Sequence, residues 1–274
     1  MSTESIRGMT SEELLREGYT IVSPKQKEIQ KKYHEKKSYF DSDQRHFTQV
    51  NDKECSMIMK TLTLPQAGTL LAMFAYMEEG EGGFLYYNGE KLSLQAFSKL
   101  INKGISAVKR NVSELVSLGY VTAHKEGRNV FYSVNSQVAT RGKKTASGFF
   151  SRLYFVQFRE VIQKATIQEL GMFFFMLPYF NTEYYAISEN PYEKEINEVV
   201  LWNREKIAEE TGLSLRTVKG LIPSMMRKGL LVGVKTWRTA IIVHPQLVSR
   251  NCKKVTVEDL TRIIENKHNK KAEW

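Results

Sequence analysis

The sequence predicts a mostly α-helical fold with small β-hairpins, an α+β arrangement in which one domain occurs twice. Two observations carry that expectation. The first is an internal repeat. Moved along itself by 110 residues, Leu94–Val138 falls on Arg204–Val248 without a gap. Val108 then meets Val218, Lys109 meets Lys219, Gly119 meets Gly229, Arg128 meets Arg238 and Val138 meets Val248. Upstream the offset becomes 103, where Thr63, Gly68, Met73 and Tyr76 meet Thr166, Gly171, Met176 and Tyr179. The lead-in recurs as well, Phe47–Val50 reading like Phe155–Phe158. A repeat of this length implies a duplicated structural unit. The second observation is size and composition. With 274 residues, 42% hydrophobic and 26% charged, the chain holds two domains of about 100 residues, each with its own core.

The expected organisation is a basic N-terminal arm (1–46), a first copy (47–139), a linker (140–154), a second copy (155–250) and a C-terminal helix with its tail (251–274). In the arm, Lys25–Lys37 holds six lysines and two glutamates, with Ile29 and Tyr33 four apart. This reads as a basic helix with a narrow apolar edge, suited to lying along DNA or to solvent alone. Each copy then opens on a capping box, Thr63–Gln66 and Thr166–Glu169. The helices that follow, through Met77 and Phe180, are apolar on nearly every side and belong inside a domain. A short second helix is capped by Ser93 in one copy and Asn203 in the other.

The chain turns at Asn102–Gly104, and again at Thr211-Gly212, before a third helix. Its apolar residues recur at steps of three and four: Ile105, Val108, Val112, Leu115, and Leu215, Val218, Ile222, Met225. Gly119 and Gly229 end these helices. A hairpin closes each copy, Tyr120–His124 with Val130–Val134 and Leu230–Val234 with Ala240–Val243. Three helices followed by a hairpin with a basic tip make a winged helix-turn-helix. Pro223, inside the second such helix, is expected to kink it. The joint Thr140–Gly148 reads as exposed and flexible, with Arg141, Lys143 and Lys144 among small residues. Phe149–Ala165 is ambiguous between a helix and a strand-like lead-in.

The run Gly212–Lys219, followed by Lys228–Leu231, resembles the winged helices of bacterial transcription regulators. The doubled arrangement is similar to that of plasmid and phage replication initiators, as is the ending Val243–Gln246. The resemblance covers roughly 190 residues. It implies a sequence-specific binder of double-stranded DNA in a bacterial mobile element, acting on transcription or at a replication origin; a cytoplasmic location is expected from the cysteine usage and the short apolar runs.

Charge agrees with that implication: Lys+Arg number 40 against 30 Asp+Glu, a net charge of +10, which suits a polyanion. In a helix-turn-helix the second helix of the motif presents its early exposed residues to the major groove. Those are Ser106, Ala107, Lys109, Arg110 and Ser113 in the first copy, with Asn111 as a further short polar group, and Arg216, Thr217, Lys219 and Gly220 in the second. The hairpin tips add Lys125, Arg128 and Asn129, and Lys235, Trp237 and Arg238, as backbone or minor-groove contacts. From Leu213 to Arg238 six basic residues, Lys228 among them, meet no acidic one. The rival reading makes the units protein-interaction modules; basic matched tips argue against it, and Trp237 argues for it.

No enzyme, metal or cofactor is expected. The histidines (His34, His46, His124, His244, His268) are scattered, Gly80–Gly83 lacks the residues of a phosphate loop, and Asn190–Tyr192 has no cofactor motif beside it. Cys55 and Cys252 fit a reducing compartment. The longest apolar run, Leu170–Phe180, is too short to span a bilayer and contains Pro178, so no membrane association is expected. The segment 181–198, with five glutamates and one lysine, should lie away from DNA and offers a surface to a protein partner. The apolar stripe Val257, Leu260, Ile263 and Ile264 of the last helix needs a cover, either its own chain or a second protomer in a homodimer.

Overall fold

The computed structural model describes residues 10–18, 20, 22–43, 45–80, 82–142, 150–235, 239–251 and 256–270. Two compact units emerge, Met1–Gln44 and Arg45–Trp274. In the first, α1 (Ser11–Arg16) starts at a capping box between Thr10 and Glu13, and α2 spans Pro24–Ser42. The helix expected from the lysine-rich stretch is present. Its ion pairs, Lys32–Glu28 at 2.7 Å and Lys31–Glu35 at 3.9 Å, run along an exposed surface, and Ile29 and Tyr33 stay exposed.

The second unit mixes helices with small antiparallel sheets, an α+β fold. Its first half runs β1 (Phe47–Asn51), α3 (Asp52–Thr61), α4 (Leu64–Phe74), β2 (Tyr86–Tyr87), β3 (Glu90–Lys91), α5 (Leu94–Leu100), α6 (Ile105–Ser117), β4 (Val121–Glu126), β5 (Asn129–Val134) and β6 (Ala139–Thr140). The second half repeats the plan: β7 (Phe150–Tyr154), α7 (Phe155–Lys164), α8 (Ile167–Met176), α9 (Arg204–Thr211), α10 (Leu215–Arg227), β8 (Leu231–Lys235), β9 (Thr239–Val243) and β10 (Val248–Ser249). Two helices follow, α11 (Val257–Ile264) and α12 (Lys267–Lys270). The capping boxes start α4 and α8 as expected, with Thr63 N–H donating to Gln66 Oε1 at 2.8 Å and Thr166 N–H to Glu169 Oε2 at 2.6 Å. Both helices are buried along almost their whole length.

The two halves are joined through one sheet and one helix pair. The sheet order is β10-β7-β1-β6, with β1 and β7 antiparallel at its centre. There Phe47 pairs with Tyr154, Gln49 with Arg152 and Asn51 with Phe150, a register that maps onto itself when the halves are exchanged. The outer pairs match too: Val50 meets Ala139 on one side as Leu153 meets Val248 on the other. A local pseudo-twofold axis therefore passes between Gln49 and Arg152. Helices α4 and α8 cross on the same principle. A Cβ on Gly68 would sit 2.0 Å from the Ile167 carbonyl oxygen, and one on Gly171 would sit 2.0 Å from that of Leu64. Only glycine permits this approach at either position.

The geometry corrects the repeat in two places. The strand equivalent to Phe47–Asn51 is Phe150–Tyr154, at the offset of 103, and not Phe155–Phe158, which begins α7 just as Asp52 begins α3. The expected linker 140–154 thus contains Thr140 of β6 and the whole of β7; residues 143–149 lie outside those described. A periodicity of three and four that starts at Leu153 hid the switch from strand to helix. The repeat is also not gapless. Val121 pairs with Val134 and Leu231 with Val243, so the second hairpin is one residue shorter and the offset beyond its tip is 109. Arg238, which an ungapped repeat sets opposite Arg128, lies in the tip outside the described residues.

Of the two covers open to the C-terminal stripe, it takes the one within the chain. Leu260, Ile263 and Ile264 are buried, and α11 packs on the 3-10 turn Ile196–Glu198 and on β9. Asn266 and Asn269 both donate to the Val199 carbonyl, at 2.8 and 2.9 Å, and His268 meets Glu198 at 2.7 Å. The acidic segment 181–198 is likewise built into the fold. Tyr184, Tyr185, Ala186 and Ile187 are buried, and Ile187 N–H donates to the Ile241 carbonyl at 2.8 Å, so the segment adds an edge to the hairpin. Its glutamates are left at the surface, and Tyr192 is exposed among them.

Candidate nucleic-acid interface

In each half a left-handed residue turns the chain from the second helix into the third: Asn102 at φ 54° and Gly212 at φ 66°, both unstrained for their residue types. Gly104 and Ser214 then cap α6 and α10; the Ser214 hydroxyl accepts from Thr217 N–H at 3.1 Å. The buried sides are those expected, Val108, Val112 and Leu115 on α6, and Val218, Ile222 and Met225 on α10. That burial fixes the opposite faces outward. Ser106, Ala107, Lys109, Arg110 and Ser113 are exposed, as are Arg216, Lys219 and Gly220. Thr217 is half-buried, its hydroxyl 2.8 Å from that of Ser214. α10 continues through Pro223 to Arg227 without interruption.

The two exposed faces differ in charge. Lys109, Arg110 and Arg216 form no ion pair with a described residue, whereas Lys219 lies 3.5 Å from Glu205. Gln95 stands at the position equivalent to Glu205, so the α6 face is the more strongly cationic. Two residues grouped with these by sequence belong elsewhere. Asn111 is buried and donates to Thr69 Oγ1 at 2.8 Å and to the Pro65 carbonyl at 3.1 Å, tying α6 to α4. Its place between Arg110 and Val112 on the border of the buried stripe was the available signal. Lys228 donates to both oxygens of Glu169, at 2.9 and 2.7 Å, linking the end of α10 to the start of α8.

Burial acts against the Glu169 carboxylate, but hydrogen bonds from Lys228, Ser224 and Thr166 outweigh it and hold its pKa below the ordinary value. A depressed folded-state pKa contributes stability above the ordinary carboxylate range, and that stability disappears as pH falls through the depressed value. Unfolding of Glu169→Gln in urea, followed from neutral to acid pH, should show lower stability at neutrality and a flatter acid limb than the parent protein.

The first hairpin turns at Gly127-Arg128, with Gly127 at φ 62°, and exposes Lys125, Arg128 and Asn129. Its neighbour Glu126 is paired with Lys91 of β3. In the second hairpin the ladder ends at Lys235 and Thr239. Trp237 and Arg238 lie outside the described residues, and of Lys235 only the backbone is described. Among the described residues no group of three His, Cys, Asp or Glu side chains could hold a metal ion, and no helix is long and apolar enough to cross a membrane.

The class defined so far is an α+β protein with an internally duplicated core and two outward basic helix faces. No family model, curated protein or solved structure matches the chain.

Proposed function

We propose that the chain is a sequence-specific binder of double-stranded DNA, with each half a winged helix-turn-helix. In this reading α6 and α10 enter the major groove, and the protein regulates transcription in a bacterial mobile element. The observation that carries the reading is the pair of exposed faces, Lys109-Arg110 and Arg216 with Lys219, held on equivalent helices by equivalent packing. Arginine and lysine in such places read guanine O6 and N7. The first hairpin tip is polar and basic, as a strand lying over the phosphate backbone requires. Because a pseudo-twofold relates the cores of the two halves, the two half-sites run in opposite directions along the duplex. Their centres fall about 10–10.5 base pairs apart if successive major grooves are used.

Selection from random duplexes, followed by binding titrations, tests this. The recovered site should be an imperfect inverted repeat. Affinity should fall with salt at a log–log slope of roughly −5 or steeper, near −0.9 per phosphate contact. Lys109→Ala with Arg110→Ala, or Arg216→Ala with Lys219→Ala, should cost about 1–3 kcal/mol per lost bidentate contact on the selected site and little on random DNA. Arg128→Ala should weaken both more evenly. Salt-independent binding, or no enriched sequence, would remove the proposal.

A further inference from the structure

The pseudo-twofold places two arginines in equivalent positions, and only one of them forms an ion pair with a described residue. Arg250 of the second half is buried, its side chain 3% exposed. It donates to the Leu177 and Phe180 carbonyls at the end of α8, both at 2.6 Å, and to Ser151 Oγ of β7 at 3.2 Å. Asp52, at the start of α3, neutralises it at 2.9 Å. Arg141, at the equivalent place of the first half, repeats the polar contacts. Its Nη2 donates to the Phe74 and Ala75 carbonyls, at 3.4 and 3.2 Å, and to Thr48 Oγ1 at 3.4 Å. The position equivalent to Asp52 holds Phe155, whose ring lies 3.5 Å from the guanidinium. Arg141 has no ion pair with a described residue, and its Nε is buried without an acceptor. The sequence pattern places this residue in an exposed joint; the structure half-buries it against the core.

Beside Arg141 lies a cleft of about 310 Å³, lined also by Arg45, His46, Phe47, Glu79, Gly142 and Phe155. Arg45 is anchored over the Tyr154 ring at 3.7 Å and reaches the Pro245 carbonyl at 3.5 Å. Two guanidiniums thus border one small cavity, against the single carboxylate of Glu79. Burial and then the neighbouring Arg159 cation lower the Arg141 pKa to about 9, against the smaller opposite pull of the Glu79 carboxylate, so it is charged at neutral pH. A largely buried cation without a close counterion is costly, and guanidinium groups pair best with the planar or tetrahedral oxygens of carboxylate and phosphate. The volume is at the small end of ligand cavities.

We propose that this cleft is a binding site for a small oxyanion, a phosphate or a carboxylate, that supplies from outside the charge Asp52 supplies in the other half. The symmetry provides the test. Phe155→Asp places a carboxylate in the first turn of α7, where Asp52 stands in α3, and so fills the cleft's need from within. Thermal unfolding midpoints are measured in phosphate and in acetate against chloride at matched ionic strength. The intact protein should show a saturable rise with one of the two oxyanions, which identifies the ligand class. Phe155→Asp should unfold at a higher temperature in chloride and lose the response. Arg45→Gln should require at least about fivefold more oxyanion for half the rise. A parent protein that responds to both oxyanions as it does to chloride overturns the proposal, as does an unchanged response in Arg45→Gln or in a folded Phe155→Asp.

Discussion

Gly68→Leu is expected to leave the chain unable to hold its two halves together. The added Cβ alone meets the Ile167 carbonyl oxygen at 2.0 Å and the Gly171 amide nitrogen at 2.8 Å, both backbone atoms that no rotamer change can move. Helices α4 and α8 would have to separate, and Leu70, Leu71, Phe173 and Phe174, all buried beside the crossing, would lose contacts together. Overpacking of a core costs about 1–3 kcal/mol and more where the backbone must shift, so this substitution belongs at or above the top of that range. Gly171→Leu should match it, since its clash with Leu64 is the mirror of the first. Gly104→Ala is the control, because nothing lies within 4 Å of its Cβ position. Urea midpoints by circular dichroism check the series: two large losses and, at the Gly104 N-cap, one small loss.

The second large effect concerns Asp52. Its carboxylate accepts from Ser151 Oγ at 2.7 Å and meets Arg250 at 2.9 Å, with both charged side chains 3% exposed. Asp52→Ala would leave Arg250 charged in a dry site. Removing one partner of a buried pair costs about 3–5 kcal/mol, mostly as the desolvation of the charge that remains. Arg250→Met with Asp52→Leu should recover most of that loss, because the pair as a whole is worth far less than either half-removal suggests. If the single variant unfolds at the same urea concentration as the parent, the ion pair contributes nothing to the fold.

Much of this was legible in the chain. Capping residues, helix stripes and the two terminal glycines fixed α4, α6, α8 and α10, because each rests on local chemistry and a period of 3.6. The faces of Lys109-Arg110 and Arg216 with Lys219 followed from those stripes. What the sequence concealed was long-range. Strand β7 is five residues placed next to a helix with an overlapping apolar pattern, and its pairing with β1 bridges a separation of about 100 residues. The cover over Ile263 and Ile264 comes in part from a segment that looks merely acidic, because its five glutamates mask the short buried run Tyr184–Ile187. Arg141 looked like a linker residue because its acceptors, the Phe74 and Ala75 carbonyls, are backbone atoms and leave no trace in composition. The missing carboxylate at Phe155 becomes visible only once strands β1 and β7 are set in register.

The central sheet also dictates an order of events during synthesis. Strand β1 can pair with β6 as soon as residue 140 has been made, but its other edge waits for β7, and the buried face of α4 waits for α8. At the ribosome's pace of about 5–20 residues per second, the roughly 40 residues separating β6 from the end of α8 take some 2–8 seconds to appear. Through that interval the nascent first half carries an open strand edge beside an apolar helix, the combination that invites pairing with another chain. The closing of the molecule on itself is therefore a race against neighbours on the same message. A glycine crossing that admits α8 without any side chain having to move first favours the partner already tethered.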